Sequence, residues 1–152
     1  MRMAVLYVAV ALLRCANGLS APGDDAQAGD ADRVRILGTI KGYHNDDPRI
    51  EISASGRVVQ VAVTTYGGGC LNKGYTDARV TALRADVTPW DYTAGPGTVC
   101  TLQLVSARHT ATLQFDRAGE AVIRVHGLDR STANATKLRG DTIVVQRTVR
   151  VE

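Results

Sequence analysis

Apolar and polar positions alternate along most of the chain beyond residue 32. In the run from Val58 to Tyr66, Val59, Val61 and Val63 share one face, with Gln60 and Thr64 on the other. A period of two is the mark of a strand whose sheet buries one face and wets the other. The same phase links Val34, Ile36 and Ile40 in the first run, and Arg49 to Ile52 forms a short one. From His109 onward, Ala111, Leu113 and Phe115 point one way and Thr110, Thr112 and Gln114 the other. Ala121, Ile123 and Val125 are in phase in Glu120 to Gly127, as are Ile143, Val145, Val149 and Val151 in the last run. Arg147 falls in that last phase, which predicts a bulge or an exit from the core.

Other segments are weaker. Cys100, Leu102 and Leu104 share a face and predict a strand before the one at His109. Thr76 to Leu83 and Ala85 to Thr88 predict two more. Pro89 should end the second or confine it to an edge, because proline cannot donate to a ladder. Turns fall at Ala54 to Arg57 and at Asp116 to Gly119, and a long polar connection runs from Asp129 to Asp141. Helical periodicity is nearly absent. Some seven to nine short strands without crossover helices predict an all-β, antiparallel β-sandwich or barrel.

One stretch adds a family resemblance. Phe115-Asp116-Arg117-Ala118-Gly119-Glu120-Ala121-Val122-Ile123-Arg124-Val125 resembles the E–F corner of bacterial immunoglobulin-like domains, where an aspartate and a small residue turn one strand into the next. The resemblance implies an immunoglobulin-like sandwich. Ala121 stands near the place of that family's corner tyrosine, and the cysteines lie outside the positions of the antibody inter-sheet bridge. No binding site is therefore carried over.

Composition changes the picture at the N-terminus. Met1-Arg2-Met3 is a short positive start, Ala4 to Leu13 is uninterruptedly apolar, and Ala16-Asn17-Gly18 offers small residues. An apolar run of about 10 residues is too short to span a bilayer and suits a signal peptide, here residues 1–18. Leu12-Leu13-Arg14-Cys15 also resembles the lipobox of bacterial lipoproteins, with Arg14 where that family has a small residue. A lipid anchor at Cys15 is thus the alternative to simple cleavage. Residues 19–32 hold Asp24, Asp25, Asp30 and Asp32 and no basic residue, which reads as a flexible acidic linker. One domain, 33–152, follows. It is expected in the periplasm, outside the cell or on the cell envelope, with no further membrane-spanning segment.

That domain holds sixteen basic and eleven acidic side chains, an excess of five. The basic residues are mostly arginine and are spread over most strands. A nucleic-acid binder would show a basic stripe with interleaved aromatics, so no nucleic-acid partner is expected. Cys70 and Cys100 are the two cysteines of the domain, and in an exported chain two cysteines normally pair. No Cys-x-x-Cys occurs and soft ligands are too few for a metal site. A structural disulfide is expected, and neither metal nor cofactor.

Candidate chemistry is sparse. Trp90, Asp91 and Tyr92 form an aromatic cluster beside a turn, with Tyr66 and Tyr75 flanking the cysteine-closed segment. Aromatic rings with a carboxylate suit a glycan or a partner protein, and these three residues are the expected ligand-binding set. The competing reading makes Trp90 a plug over the disulfide. His44, Asp46 and Asp47 could hold a divalent cation in a small metal-dependent enzyme, but Asn45-Asp46-Asp47-Pro48 is also ordinary turn chemistry. His109 falls in an inward phase and His126 in an outward one, so they should not converge on one ligand; both read as strand-end polar residues. No serine or cysteine sits in a nucleophile elbow, and Gly67-Gly68-Gly69 lacks the following helix of a phosphate loop. The expected function is a non-catalytic binding or structural module, with no catalytic residues and an unidentified protein or glycan as partner.

Overall fold

The computed structural model describes residues 33–43, 47–136 and 138–152. The expected signal, linker and lipid-anchor position Cys15, and His44 and Asp46 of the candidate cation site, lie outside the described residues. Among the described residues no helix is long and apolar enough to cross a membrane.

Nine strands form one mixed sheet: β1 (Arg33–Leu37), β2 (Thr39–Lys41), β3 (Ile50–Ser55), β4 (Val58–Gly67), β5 (Asn72–Thr81), β6 (Arg84–Ala94), β7 (Val105–Gln114), β8 (Gly119–Asp129) and β9 (Asp141–Val151). A single 3-10 turn, Arg130–Thr132, is the one departure from strand and loop among these residues. β3, β4 and β7 are neighbours on one side, and β9, β8, β6 and β5 on the other. β2 bridges β4 and β8. β5 packs against β7 at the opposite seam.

The inward phase read from the sequence builds the core. Val59, Val61 and Val63 of β4, Leu113 of β7, Ala121, Ile123 and Val125 of β8, with Ile40, Phe115 and Val151, are all but inaccessible to water. β6 adds Ala85 and Val87. Burying such aliphatics contributes on the order of 2 kcal/mol each, so the period-two register is strongly specified: a slip by one residue would expose every one of them.

Three expectations are corrected. The sheet is not purely antiparallel, because β6 and β8 pair in parallel, as do β2 and β8. β7, which connects β6 to β8, hydrogen-bonds to β4 on the other side, so the chain crosses over and returns in its original direction. The segment from Cys100 to Leu104 is not a strand. β4 offers β7 no partner beyond Gly67↔Val105, and Val99 and Leu102 are fully exposed. Of the two outcomes expected at Arg147, the exit from the core is the one found: the pairing of β8 with β9 is unbroken through Ile123↔Arg147, and Arg147 reaches solvent.

Pro89 lies inside β6 and does not end it. β8 pairs with Arg84 to Val87 and β1 with Trp90 to Ala94, so Pro89 sits where the first neighbour hands over to the second. Its carbonyl accepts from the Gly38 N–H at 2.9 Å. The nitrogen of the same residue faces the same side, into the gap where a missing donor leaves no ladder bond unmade. Gly38 is needed there: a Cβ would lie 2.5 Å from Thr65 Cγ2 and 3.1 Å from the Pro89 carbonyl oxygen. This close crossing lets the chain leave β6 as β1 and join β4 and β8 as β2.

Asp129 ends β8 as a buried cap. Its Oδ1 accepts from the Ser131 N–H at 2.9 Å and from the Ser131 hydroxyl at 2.5 Å, and its Oδ2 meets Lys41 Nζ at 3.1 Å. The Ser131 hydrogen bond, aided by Lys41, holds its carboxyl below the ordinary 3.8 against the opposing effect of burial. A lowered folded value means stability present at neutral pH and lost as pH falls through the acid range below about 4. Asp129→Asn should cost about 1 kcal/mol at pH 7, and thermal melts of the two proteins should converge as pH drops toward 3. A gap that persists unchanged at pH 3 would contradict this.

Candidate functional site

The sequence triplet Trp90-Asp91-Tyr92 is split by the alternation of β6. Asp91 points inward with Ala85 and Val87 and is fully buried, whereas Trp90 and Tyr92 stand on the outer face, half-buried. The expected three-residue ligand set is therefore two separate environments.

The inner one is a polar string through the core. Asp91 Oδ1 lies 2.9 Å from His109 Nε2, and His109 Nδ1 lies 3.3 Å from Thr76 Oγ1. The imidazole and carboxylate are both wholly excluded from water, and Asp91 Oδ2 has no hydrogen-bond partner. His109 donates through Nε2 to the carboxylate, leaving Nδ1 for the threonine hydroxyl. The arrangement has the order of a hydroxyl–imidazole–carboxylate relay. Its imidazole and carboxylate are closed to solvent, however. In the folded chain His109 satisfies Asp91 and ties β7 to β5 where the seam is made by packing. His109 is thus no strand-end residue. The signal was present in the phase, since Asp91 lies two and three repeats of period two from Val87 and Ala85. Reading Trp90 to Tyr92 as one cluster hid it.

The outer environment is a ring-and-guanidinium cluster assembled from three strands. Gly74 makes it possible. Between Lys73 and Thr76 the β5–β6 register shifts, and a Cβ on Gly74 would sit 2.3 Å from the Trp90 carbonyl oxygen. The resulting bulge sets Tyr75 beside Trp90, ring centroids 6.5 Å apart and tilted by 32°. From β1, Arg35 lies over the indole with Cζ 4.7 Å from the ring centroid, and its Nη1 donates to the Tyr75 hydroxyl at 2.5 Å. Trp90 Nε1 donates to Asp77 Oδ2 at 2.9 Å. Trp90 is held from three sides, and what it presents outward is the guanidinium stacked upon it.

The outer face continues along β6 through Thr88, Asp86 and Arg84, flanked by Asp77, Arg79 and Thr81 of β5 and by Arg124 and His126 of β8. Asp86 Oδ1 is 2.7 Å from His126 Nε2 and 3.3 Å from Arg124 Nη1. The hydrogen bond from His126 holds the Asp86 carboxyl below its ordinary value, with Arg124 and Arg84 adding to the effect against burial. Two shallow depressions, of about 490 and 670 Å³, share Arg79 and Asp86 and run on from the Asp77 end to Arg84 and Arg124. His109 and His126 face opposite ways, as their phases indicated.

Cys70 and Cys100 are bonded, joining the β4–β5 loop to the β6–β7 loop with Cα atoms 5.3 Å apart. The bridge is a staple between loops at one end, and a backbone bond from Gly69 N–H to Thr101 O lies beside it. A disulfide is compatible with an oxidising, exported location. Among the described residues no group of three His, Cys, Asp or Glu is placed to hold a metal ion. No family model, no curated protein and no solved structure matches the chain.

Proposed function

We propose that the chain is an exported, non-catalytic recognition module, an immunoglobulin-like β-sandwich that binds its ligand on the outer face of β1, β6 and β5. The single observation behind this reading is the Arg35–Trp90–Tyr75–Asp77 cluster. Four side chains from three strands spend their hydrogen bonds on fixing one another at the surface, away from the aliphatic core, next to an open groove. A preordered aromatic and cationic surface loses little side-chain freedom on binding, which is what recognition faces exploit. The curl of the sheet around one core supports the sandwich, and the Asp116 to Gly119 turn between β7 and β8 supports the E–F-corner likeness. A protein or glycan partner fits this surface, whether the chain is released or anchored through Cys15.

The second reading, favoured by the half-burial of Trp90, makes the cluster a structural brace. Trp90→Ala separates the two. A recognition face predicts an unchanged melting temperature, within about 0.5 kcal/mol of wild-type stability, together with loss of partner or glycan capture. A melt lowered by several degrees with capture retained would leave the brace and remove the module's binding face.

A further inference from the structure

We infer that this outer face is a receptor for an acidic polysaccharide, a sugar chain bearing sulfate or carboxylate groups; the inference rests on the binding-face reading above. At the aromatic end, the group offered to a ligand is Arg35, braced on the indole below and by the Tyr75 hydroxyl beside it. A guanidinium so held keeps donors free for a planar or tetrahedral anion and has already lost its rotamer freedom. Bare ring faces, which neutral sugars and nucleobases stack upon, are not what the cluster presents, because Arg35 occupies the ring.

Two acids of the face are used internally, and the third, Glu120 of β8, lines the Arg84 end of the groove. Asp77 accepts from Trp90, and Asp86 is engaged by His126 and Arg124. Arg79 and Arg84 line the groove, Arg84 acting on Asp86 through its charge and not through a hydrogen bond. On the opposite side of the molecule Arg108 is consumed instead, donating to both oxygens of Glu51 at 2.9 and 2.8 Å. The outer face of β6 therefore carries its positive charge outward, at Arg35, Arg79 and Arg84, spaced along the groove. From Arg84 to Trp90 the strand advances about 20 Å, a span for an oligosaccharide with repeated anionic groups and not for a single sugar. The edges of Tyr75 and Trp90 and the open hydroxyls of Thr81 and Thr88 suit the sugar rings between those groups.

The test is calorimetric titration of the full-length secreted protein with three oligosaccharides of equal length: a sulfated glucan, a polyuronate and the unmodified glucan. Tighter binding of either acidic chain than of the neutral one, by about tenfold or more, is expected. So is a loss of about tenfold or more for Arg79→Ser with Arg84→Ser, while Arg108→Ser, which removes charge elsewhere, leaves the affinity unchanged. The comparison of sulfated glucan with polyuronate identifies the anion. Equal affinity for all three sugars, with binding lost in Trp90→Ala, would overturn the acidic class and leave the binding face standing. No binding of any sugar, or binding indifferent to Arg35→Met, Arg79→Ser and Trp90→Ala alike, would overturn both. Tighter binding of a single-stranded oligonucleotide would overturn the polysaccharide assignment.

Discussion

His109→Leu should destabilise the domain by about 3–5 kcal/mol, the largest effect of any single side-chain change proposed for it. The leucine fills a similar volume, so the loss would come mainly from Asp91. Its Oδ2 already lacks a partner, and removal of His109 would leave Oδ1 without one too, inside a core of valine, leucine and phenylalanine. An uncompensated buried carboxylate costs far more than the net worth of the pair that satisfied it. Replacing both partners, His109→Leu with Asp91→Val, should accordingly recover most of the loss and approach wild-type stability. Urea unfolding at pH 7 reads both variants. A single variant within about 1 kcal/mol of wild type, or a double variant no better than the single, would show that the string is not what secures this part of the core. Amide exchange gives a local check: without the His109–Thr76 bond, β5 should open faster than β3, because the β5–β7 seam loses a polar tie that the ladders of β4 do not need.

Removing the disulfide is the second large perturbation. Cys70→Ser with Cys100→Ser should cost roughly 3–4 kcal/mol on the chain-entropy account, because the bridge closes a loop of about 30 residues in the unfolded chain. The folded structure suggests where the damage begins. Segment 95–104 has no strand partner, leaves Val99 and Leu102 in water, and is fastened by the bridge and by the bond from Gly69 to Thr101. Hydrogen exchange should therefore rise first in this segment and in the β4–β5 loop, with the urea midpoint falling as a whole. A midpoint unchanged by the double substitution, or by reduction of the wild-type protein, would mean the bridge holds only the loops it joins.

Much of the fold was legible before any coordinates, and the reason is specific. Val59, Val61 and Val63, or Ala121, Ile123 and Val125, announce both a strand and its buried side, because a period of two survives whatever the strand pairs with. The turn at Asp116 to Gly119 and the Cys70–Cys100 bridge were legible for the same reason, since each depends on local chemistry or on simple pairing. Where the pattern misled, a partner strand was the missing information. Cys100, Leu102 and Leu104 have the right phase, but no strand lies alongside them. Pro89 breaks a ladder only if a ladder bond is required at its nitrogen, and there the neighbour changes from β8 to β1. Parallel pairing of β6 with β8 follows from the route of β7, which no periodicity records.

The candidate site divides along the same line. Trp90 and Tyr92 could be singled out from composition, and Asp91 with them, but alternation sends the aspartate inward to a histidine 18 residues away. Arg35, Tyr75, Asp77, Arg79, Arg84 and Arg124 look scattered when read in order; strand pairing gathers them on one face. What the sequence by itself determined is which side of β4, β7, β8 and β9 faces water, that the domain is built from strands and that two thiols are available to pair, all consequences of local period and composition. The tertiary structure alone decided which residues became neighbours: the buried Thr76–His109–Asp91 string and the guanidinium seated on Trp90. Contacts between distant strands depend on register and strand order, and those are set by the whole core settling at once and not by any one segment.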